Sequence, residues 1–276
     1  MLGKLLKYEV KDTLRIIPFF YAITAVLACL SLLAGKLELG WFKVTSSVLL
    51  LLVGIAVFVV TLVVICMRYY KNLYSNEGYL SFTLPLKPHL HLVSKSIVSF
   101  MWAILSVLVC LGAFFVALNG LGVDGAVWSS VLDQIERSGM GNYIYAIIPM
   151  VCLSILYLMS QVYFSITMAN RPAFHNIGQA GASILLFLAT NVVLKIVETI
   201  LTIIIPFSLS VSLTGSFDIS LTAQNMVGYL MENLNNPNPN PSNMVIGLGG
   251  YTFDIIMVFV LFYLTGRIMN KKVSLR

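Results

Sequence analysis

The sequence predicts an all-α integral membrane protein with six transmembrane helices. Hydrophobic residues make up 59% of the 276 positions and charged residues only 10%, a balance that is typical of membrane proteins. Six apolar runs are each long enough to cross about 30 Å of hydrocarbon at roughly 1.5 Å per residue. The runs cover residues 16–34, 45–67, 96–118, 144–168, 181–206 and 246–268. We therefore expect a single transmembrane domain over residues 1–276.

The basic residues are divided unequally between the two sides of the membrane. An even number of spans places both termini on the same side. The segments on that side hold thirteen of the seventeen Lys and Arg residues, the opposite side holds Lys36, Lys43 and Arg137, and Lys195 lies within a span. Cytoplasmic loops carry an excess of Lys and Arg, so both termini are expected in the cytoplasm. This orientation accounts for the net charge of +6 without a nucleic acid partner.

Residues 1–15 predict an amphipathic helix that lies in the membrane interface and contacts its lipids. The residues on its two faces are Leu2, Leu5, Leu6, Val10 and Leu14 on one, and Lys4, Lys7, Lys11 and Arg15 on the other. A signal peptide is the alternative, because a basic stretch precedes an apolar run. The basic stretch is long, however, and no small-residue cleavage pattern follows residues 16–34. We therefore expect an uncleaved first span.

The longest charged and turn-rich interruption between apolar runs covers residues 68–95. Its four Lys and Arg residues favour the cytoplasmic side of the membrane. The stretch from Tyr69 to Leu80 suits a short amphipathic helix, which the sequence TLPLKP at residues 83–88 must end. Proline ends it because it lacks a backbone donor and disfavours a helical conformation at the residue before it. The pattern predicts a helix at the membrane surface, then an elbow, then a return into the bilayer.

Within this loop, Glu77-Gly78-Tyr79-Leu80 is followed by Thr83-Leu84-Pro85 and then by Ser94-Lys95 at the start of the next span. This ordered set resembles the first cytoplasmic loop of type 2 ABC permeases, the membrane subunits of many ATP-binding cassette exporters. The chain also begins with MLGKLLKYE, which is similar to the start of the six-span permeases of clostridia and their relatives. The specific residues of the resemblance lie in residues 1–15 and 68–95.

The resemblance implies a membrane-spanning subunit of a bacterial exporter in the plasma membrane, whose cargo is a peptide, a lipid or an amphipathic compound. In that family the loop carries a coupling helix that docks into a groove of a separate ATPase subunit. The permeases work in pairs, so the expected partners are an ABC ATPase subunit and a second permease chain, identical or related. The residues that we assign to coupling are Tyr70, Asn72, Glu77, Gly78, Phe82 and Pro85.

Catalytic motifs are missing from the sequence. A P-loop ends in Gly-Lys followed by Ser or Thr, whereas Gly3-Lys4 and Gly35-Lys36 are each followed by leucine. The histidines His89, His91 and His175 form no HExxH motif, and the four cysteines form no CxxC pair. We therefore expect no catalytic residues and no metal site. ATP and magnesium are expected only in the partner ATPase.

Three charged residues lie inside the predicted spans and away from the span ends: Lys195 and Glu198 in the fifth and Asp254 in the sixth. Such charges cost roughly 2.5 to 3.5 kcal/mol each on insertion scales, so they usually face other helices and find partners. Lys195 and Glu198 can meet on one helical face, and a pair between Lys195 and Asp254 also fits the pattern. Two interpretations remain open. The charges form a neutralised pair that joins helices, or they line a polar wall of the translocation route.

The connections on the outer side are predicted to differ in structure. Residues 119–143 favour a short helix from Trp128 to Arg137. Residues 207–234 alternate apolar residues with Ser, Thr and Asn, and NPNPNP at residues 236–241 is expected to be extended or turn-like. We expect the whole connection, residues 207–245, to cap the outer ends of the spans or to enter the interface. Lining an exit route is the alternative.

Two other classes of membrane protein fit the same six spans. A membrane interaction or immunity protein would bind its partner without transport, and a channel would move its substrate without nucleotide. The loop pattern of residues 68–95 favours the exporter, which is an argument from family analogy. Association with an ATPase separates the exporter from both alternatives.

Overall fold

The computed structural model describes residues 2–37, 40–75, 88–123, 125–137, 141–171, 178–212, 219–223, 226–235 and 243–271. Six of its helices are long and apolar enough to cross a membrane. The protein is therefore a multi-pass membrane protein, as the sequence predicts.

The helices are α1 (Leu2–Thr13), α2 (Ile17–Lys36), α3 (Gly40–Tyr74), α4 (Pro88–Gly120), α5 (Gly125–Arg137), α6 (Gly141–Ala169), α7 (Gln179–Ile204), α8 (Met226–Asn235) and α9 (Leu248–Lys271). The strands are β1 (Ser208–Ser212), β2 (Ile219–Thr222) and β3 (Asn243–Gly247). The six candidate spans are α2, α3, α4, α6, α7 and α9. Helix α1 occupies most of the segment where we expected an interfacial helix, and α5 contains the short helix expected near Trp128.

Helices α3 and α4 extend into the segment that we assigned to the loop at residues 68–95. Helix α3 continues past residue 67 to Tyr74, so residues 69–74 prolong this helix and do not begin a separate one. Residues 76–80 of the surface helix expected from Tyr69 to Leu80 lie outside the described residues. With 35 residues, α3 is about 50 Å long, more than the hydrocarbon thickness requires. Helix α4 begins at Pro88, a position where the missing donor of proline costs little. The elbow expected at residues 83–87 lies outside the described residues.

The chain divides into two compact units, residues 1–129 with 268–276, and residues 130–267. In the first unit, α2, α3 and α4 pack against one another and α1 packs against α4. Leu50, Ala113 and Ala117 form a core between α3 and α4. A Cβ added to Gly54 would lie 3.0 Å from the Ala113 Cβ, so small residues allow these two helices to approach closely.

In the second unit, α6 packs along α7, and the start of α9 lies close to the end of α7. A Cβ added to Gly249 would lie 2.6 Å from the Leu201 carbonyl oxygen. Only a residue without a side chain fits there. The three strands form an antiparallel sheet with the order β2-β1-β3, inserted between α7 and α9. The NPNPNP segment at residues 236–241, which was expected to be extended or turn-like, lies outside the described residues. The strands and their pairing into a sheet were not predicted.

Candidate functional site

Helix α1 is fixed by ion pairs to both helices that flank the loop of residues 75–87. Glu9 pairs with Lys95 of α4, and Asp12 pairs with Arg68 of α3. The Glu9–Lys95 pair is shielded from solvent, because the two side chains are 16% and 8% exposed. We call Glu9, Asp12, Arg68 and Lys95 the N-terminal clamp. It joins three helices at the base of the loop.

A set of buried hydrogen bonds extends this connection into the spans. The Trp102 Nε1 donates to the Thr13 Oγ1 at 2.8 Å, which links α4 to the end of α1. One turn further along α4, the Ser106 Oγ donates to the Thr61 Oγ1 of α3 at 2.8 Å and lies 2.7 Å from the Tyr21 hydroxyl of α2. These groups are shielded from water, so each bond satisfies a polar group that would otherwise be costly to bury. Four helices are thereby held in one arrangement.

The faces of α1 separate its charges. Positions 9 and 13 lie on one face and contact α4, whereas the basic residues lie on the opposite face and are exposed: Lys4, Lys7 and Lys11. The apolar and basic faces follow from the sequence, but the ion pairs of Glu9 and Asp12 with other helices were not predicted. A signal was present, because acidic residues among the apolar positions of an amphipathic helix indicate buried cationic partners.

A cavity of about 290 Å³ lies between α1 and the end of α3. Its lining consists of Tyr8, Glu9, Lys11, Asp12, Arg15 and Asn72. Two of the residues assigned to coupling, Tyr70 and Asn72, lie in the last turns of α3, and the second of them faces this cavity. The other four, Glu77, Gly78, Phe82 and Pro85, lie outside the described residues. The structure thus brings Asn72 next to the N-terminal clamp.

The second unit contains a cluster of polar side chains on α6, α7 and α9. The Lys195 Nζ lies 2.5 Å from the Glu198 Oε2, which confirms that these residues meet on one face of α7. The same ammonium group lies 5.6 Å from the centre of the Tyr157 ring, within the range of a cation–π interaction. Next to them, the Asn191 Nδ2 donates to the Gln161 Oε1 at 3.0 Å. We call these five residues with Asp254 the polar cluster.

Asp254 is brought to this cluster by the close approach of α9 to α7. A Cβ added to Gly250, one turn earlier on α9, would lie 3.7 Å from the Glu198 Oε1. Asp254 is 4% exposed, interacts electrostatically with both Glu198 and Lys195, and has an Oδ1 without a hydrogen-bond partner among the described residues. Among the described residues, Lys195 forms an ion pair with Glu198, and no ion pair between Lys195 and Asp254 is present. The cluster therefore holds two carboxylates and one ammonium group.

Sequence analysis found the three charged residues of the cluster but not Tyr157 and Gln161. The signal available for Gln161 was an amide side chain within an apolar run, and the structure places this residue at 1% exposure. Lys195 has a half-exposed side chain, so the cluster can be reached from the protein surface. Among the described residues, no group of three or more His, Cys, Asp or Glu side chains could hold a metal ion.

Comparisons of the chain with protein-family models, with curated proteins and with solved structures gave no match. The resemblance to type 2 ABC permeases therefore depends on residues 1–15 and 68–95. The N-terminal clamp and the polar cluster are the features of this chain from which its function is inferred.

Proposed function

We propose that this chain is the membrane-spanning subunit of an ATP-binding cassette exporter in a bacterial plasma membrane, with both termini in the cytoplasm. The observation that carries the proposal is the N-terminal clamp, which ties α1 to both helices that enter the loop of residues 75–87. A loop that only connects two spans does not require ion pairs that hold its flanking helices together. Such ion pairs are expected where a bound ATPase exerts a force on the loop.

The clamp supplies a physical route from the loop to the spans. Helices that are joined by buried ion pairs and hydrogen bonds tend to move together. The buried Glu9–Lys95 pair joins α1 to α4, and the buried hydrogen bond between Ser106 and Thr61 joins α4 to α3. A displacement of the loop would move the ends of α3 and α4, and α1 with them. The long α3 carries this movement across the membrane as a continuous helix. ATP binding and hydrolysis in the partner would thus change which side of the route is open.

The polar cluster gives the proposed route a polar wall. Charged and amide groups in hydrocarbon usually face a protein interior or a water-filled cavity, and they often mark a path for substrates. The cluster offers hydrogen-bond donors and acceptors on three helices of one unit. It fits the export of a peptide, a lipid or an amphipathic compound between this chain and a second permease chain.

The proposal is tested by purifying the chain from its native membrane in mild detergent and identifying the proteins bound in stoichiometric amounts. We expect an ABC ATPase subunit together with one or two permease chains, and ATP hydrolysis by the purified complex. A stable complex with a different partner and no nucleotide-binding subunit would contradict the proposal and favour a membrane interaction or immunity protein.

Substitutions in the loop test coupling. Glu77→Ala should lower transport-coupled ATP hydrolysis about tenfold, because a hydrogen bond to a charged group contributes roughly 1.5 to 3 kcal/mol. Gly78→Trp should have at least this effect, since a large side chain would block docking. Hydrolysis is measured in the reconstituted complex, and Ser81→Ala in the same loop is the control. Equal hydrolysis rates in all three variants and the native complex would contradict the coupling assignment.

The substitution Asp254→Asn separates the two interpretations of the polar cluster. It keeps the shape of the side chain and leaves Lys195 and Glu198 as a neutral pair. We expect transport into vesicles to fall about tenfold, because hydrogen bonds to a charged acceptor are roughly twice as strong as neutral ones. We expect the midpoint of thermal unfolding to stay unchanged or to rise, because a buried charge is removed. Unchanged transport would assign the cluster to helix packing alone.

A further inference from the structure

In the three-stranded sheet, the distribution of polar and apolar residues between the two faces differs from that of a sheet with one face in water. On one face, Ser208 and Ser210 are 0% and 5% exposed. On the other face, Leu221 is 73% exposed. A sheet with one face in water normally turns its apolar residues inward and its polar residues outward. The face of Ser208 and Ser210 also holds the buried Val245, and Ser220 at its edge is exposed. Ser208 and Ser210 of the central strand are thus inside, and Leu221 on the other face is outside.

The register of the strands shows which residues share each face. Ser208 lies opposite Thr222 and Gly247, and Leu209 lies opposite Leu221 and Ile246. The serine face is turned toward the helices, because a Cβ added to Gly247 would lie 3.0 Å from the Thr202 Cγ2 of α7 and 3.6 Å from the Met226 Sδ of α8. We call Leu209, Leu221 and Ile246 the aliphatic face. It points away from these helices.

The hydroxyl groups on the serine face bind one another. The Ser210 Oγ lies 2.7 Å from the Ser220 Oγ and donates to the Ser220 carbonyl oxygen at 3.1 Å. The Ser208 Oγ lies 3.3 Å from the Thr222 Oγ1. Polar groups that are paired within the sheet do not require water on that face. Strands with polar residues turned to protein and apolar residues turned outward are found where the outer medium is lipid.

The position of the sheet places the aliphatic face near the membrane. Strand β1 follows the end of α7 after residues 205–207, β3 leads directly into α9, and the Leu248 backbone N donates to the Phe207 carbonyl oxygen at 3.0 Å. Ile203, Ile204 and Phe207 are exposed at the end of the candidate span α7, and Leu221 is exposed on β2. Three residues, 205–207, separate the end of this span from the first strand of the sheet.

We propose that the aliphatic face rests in the membrane interface, on the side opposite to the termini, where it contacts lipid at the depth of the headgroups and upper acyl chains. The three described strands carry no charged residue. In soluble proteins, charged side chains on exposed strands prevent association with other sheets, and this protection is missing here. Strands β2 and β3 are the edges of the described sheet, and their outer backbone groups need water. This requirement keeps the sheet out of the hydrocarbon core.

The test uses single cysteines that carry an environment-sensitive fluorophore, in a full chain whose four native cysteines are replaced by alanine. The chain is reconstituted into phosphatidylcholine vesicles. Leu221→Cys should give blue-shifted emission that a lipid with a spin label near the headgroup quenches about twofold more than it quenches Ser220→Cys, the neighbouring control on the opposite face. Ile246→Cys is the second position on the aliphatic face, in case the first variant does not fold.

Two results would overturn the proposal. Quenching of Leu221→Cys by iodide in the aqueous phase, without quenching by the spin-labelled lipid, would mean that the aliphatic face is exposed to water. Blue-shifted emission that neither quencher reaches, together with crosslinking of Leu221→Cys between two chains, would mean that a second copy covers the face. Neither result depends on whether the chain is an exporter, so the proposal stands apart from the proposed function.

Discussion

Replacing Glu9 with alanine is expected to destabilise the protein by about 3 to 5 kcal/mol, because it removes one partner of a largely buried ion pair with Lys95. Lys95 is 7% exposed and cannot recover the lost interaction from water. We expect a lower midpoint of thermal unfolding in detergent for Glu9→Ala than for the native chain. The effect is large because the Lys95 ammonium group stays buried after the Glu9 carboxylate is removed.

A matched control lies in the same helix. Asp12→Ala removes the other acidic residue of the clamp, but the Asp12 side chain is 52% exposed, so its ion pair with Arg68 should contribute only about 0 to 1 kcal/mol. The double variant Glu9→Leu/Lys95→Met should recover most of the stability, since apolar residues of similar volume replace both charges. Equal unfolding midpoints for Glu9→Ala and Asp12→Ala would contradict the inference that the buried pair contributes more to stability than the exposed pair.

The spans could be predicted because each apolar run carries its own signal, whereas helix ends could not be placed with the same accuracy. The end of a membrane span and the end of a helix are different boundaries. Apart from Leu73, residues 68–74 are charged, polar or aromatic, so hydropathy ends the span at residue 67, but nothing in their composition ends the helix. Helix α3 therefore reaches Tyr74, and α4 likewise begins at Pro88, before the apolar run at residues 96–118.

The contacts of the clamp could not be predicted because they join residues far apart in the chain. The faces of α1 follow from its own sequence, but the choice of Lys95 as the partner of Glu9 depends on how α1 packs against α4. The same holds for Tyr157, which joins the polar cluster only through the packing of α6 against α7. By contrast, Lys195 and Glu198 lie three residues apart on one helix, and that pairing was predicted from spacing alone.

The sheet was missed although its signal was local. Residues 208–212 read SLSVS and residues 219–222 read ISLT, which is the alternation expected for strands. The usual interpretation of alternation assumes that the apolar face is inside. In this protein Ser208 and Ser210 are buried on the face turned to the helices, whereas Leu221 on the other face is exposed. Identifying a strand from its period and deciding which face is buried are therefore two separate steps.

Replacing Gly249 with alanine is expected to destabilise the protein by about 3 kcal/mol, at the upper end of the usual cost of adding a methyl group to a packed core. The added Cβ would lie 2.6 Å from the Leu201 carbonyl oxygen and 3.1 Å from the Ile205 Cβ. The first of these atoms belongs to the backbone of α7 and cannot rotate away. The helices α7 and α9 would have to separate, and the unfolding midpoint in detergent should fall.

Gly266 in the same helix is the matched control, because a Cβ added there meets nothing within 4 Å. Gly266→Ala should keep or raise stability, since alanine favours a helix over glycine by about 1 kcal/mol. Equal midpoints for Gly249→Ala and Gly266→Ala would mean that α7 and α9 are further apart than the structure places them. The same separation would draw Asp254 away from Glu198, because Gly250 brings the two helices together one turn before it. Helix packing at Gly249 and the charge balance of the polar cluster are therefore coupled, and a loss of one should appear as a loss of the other.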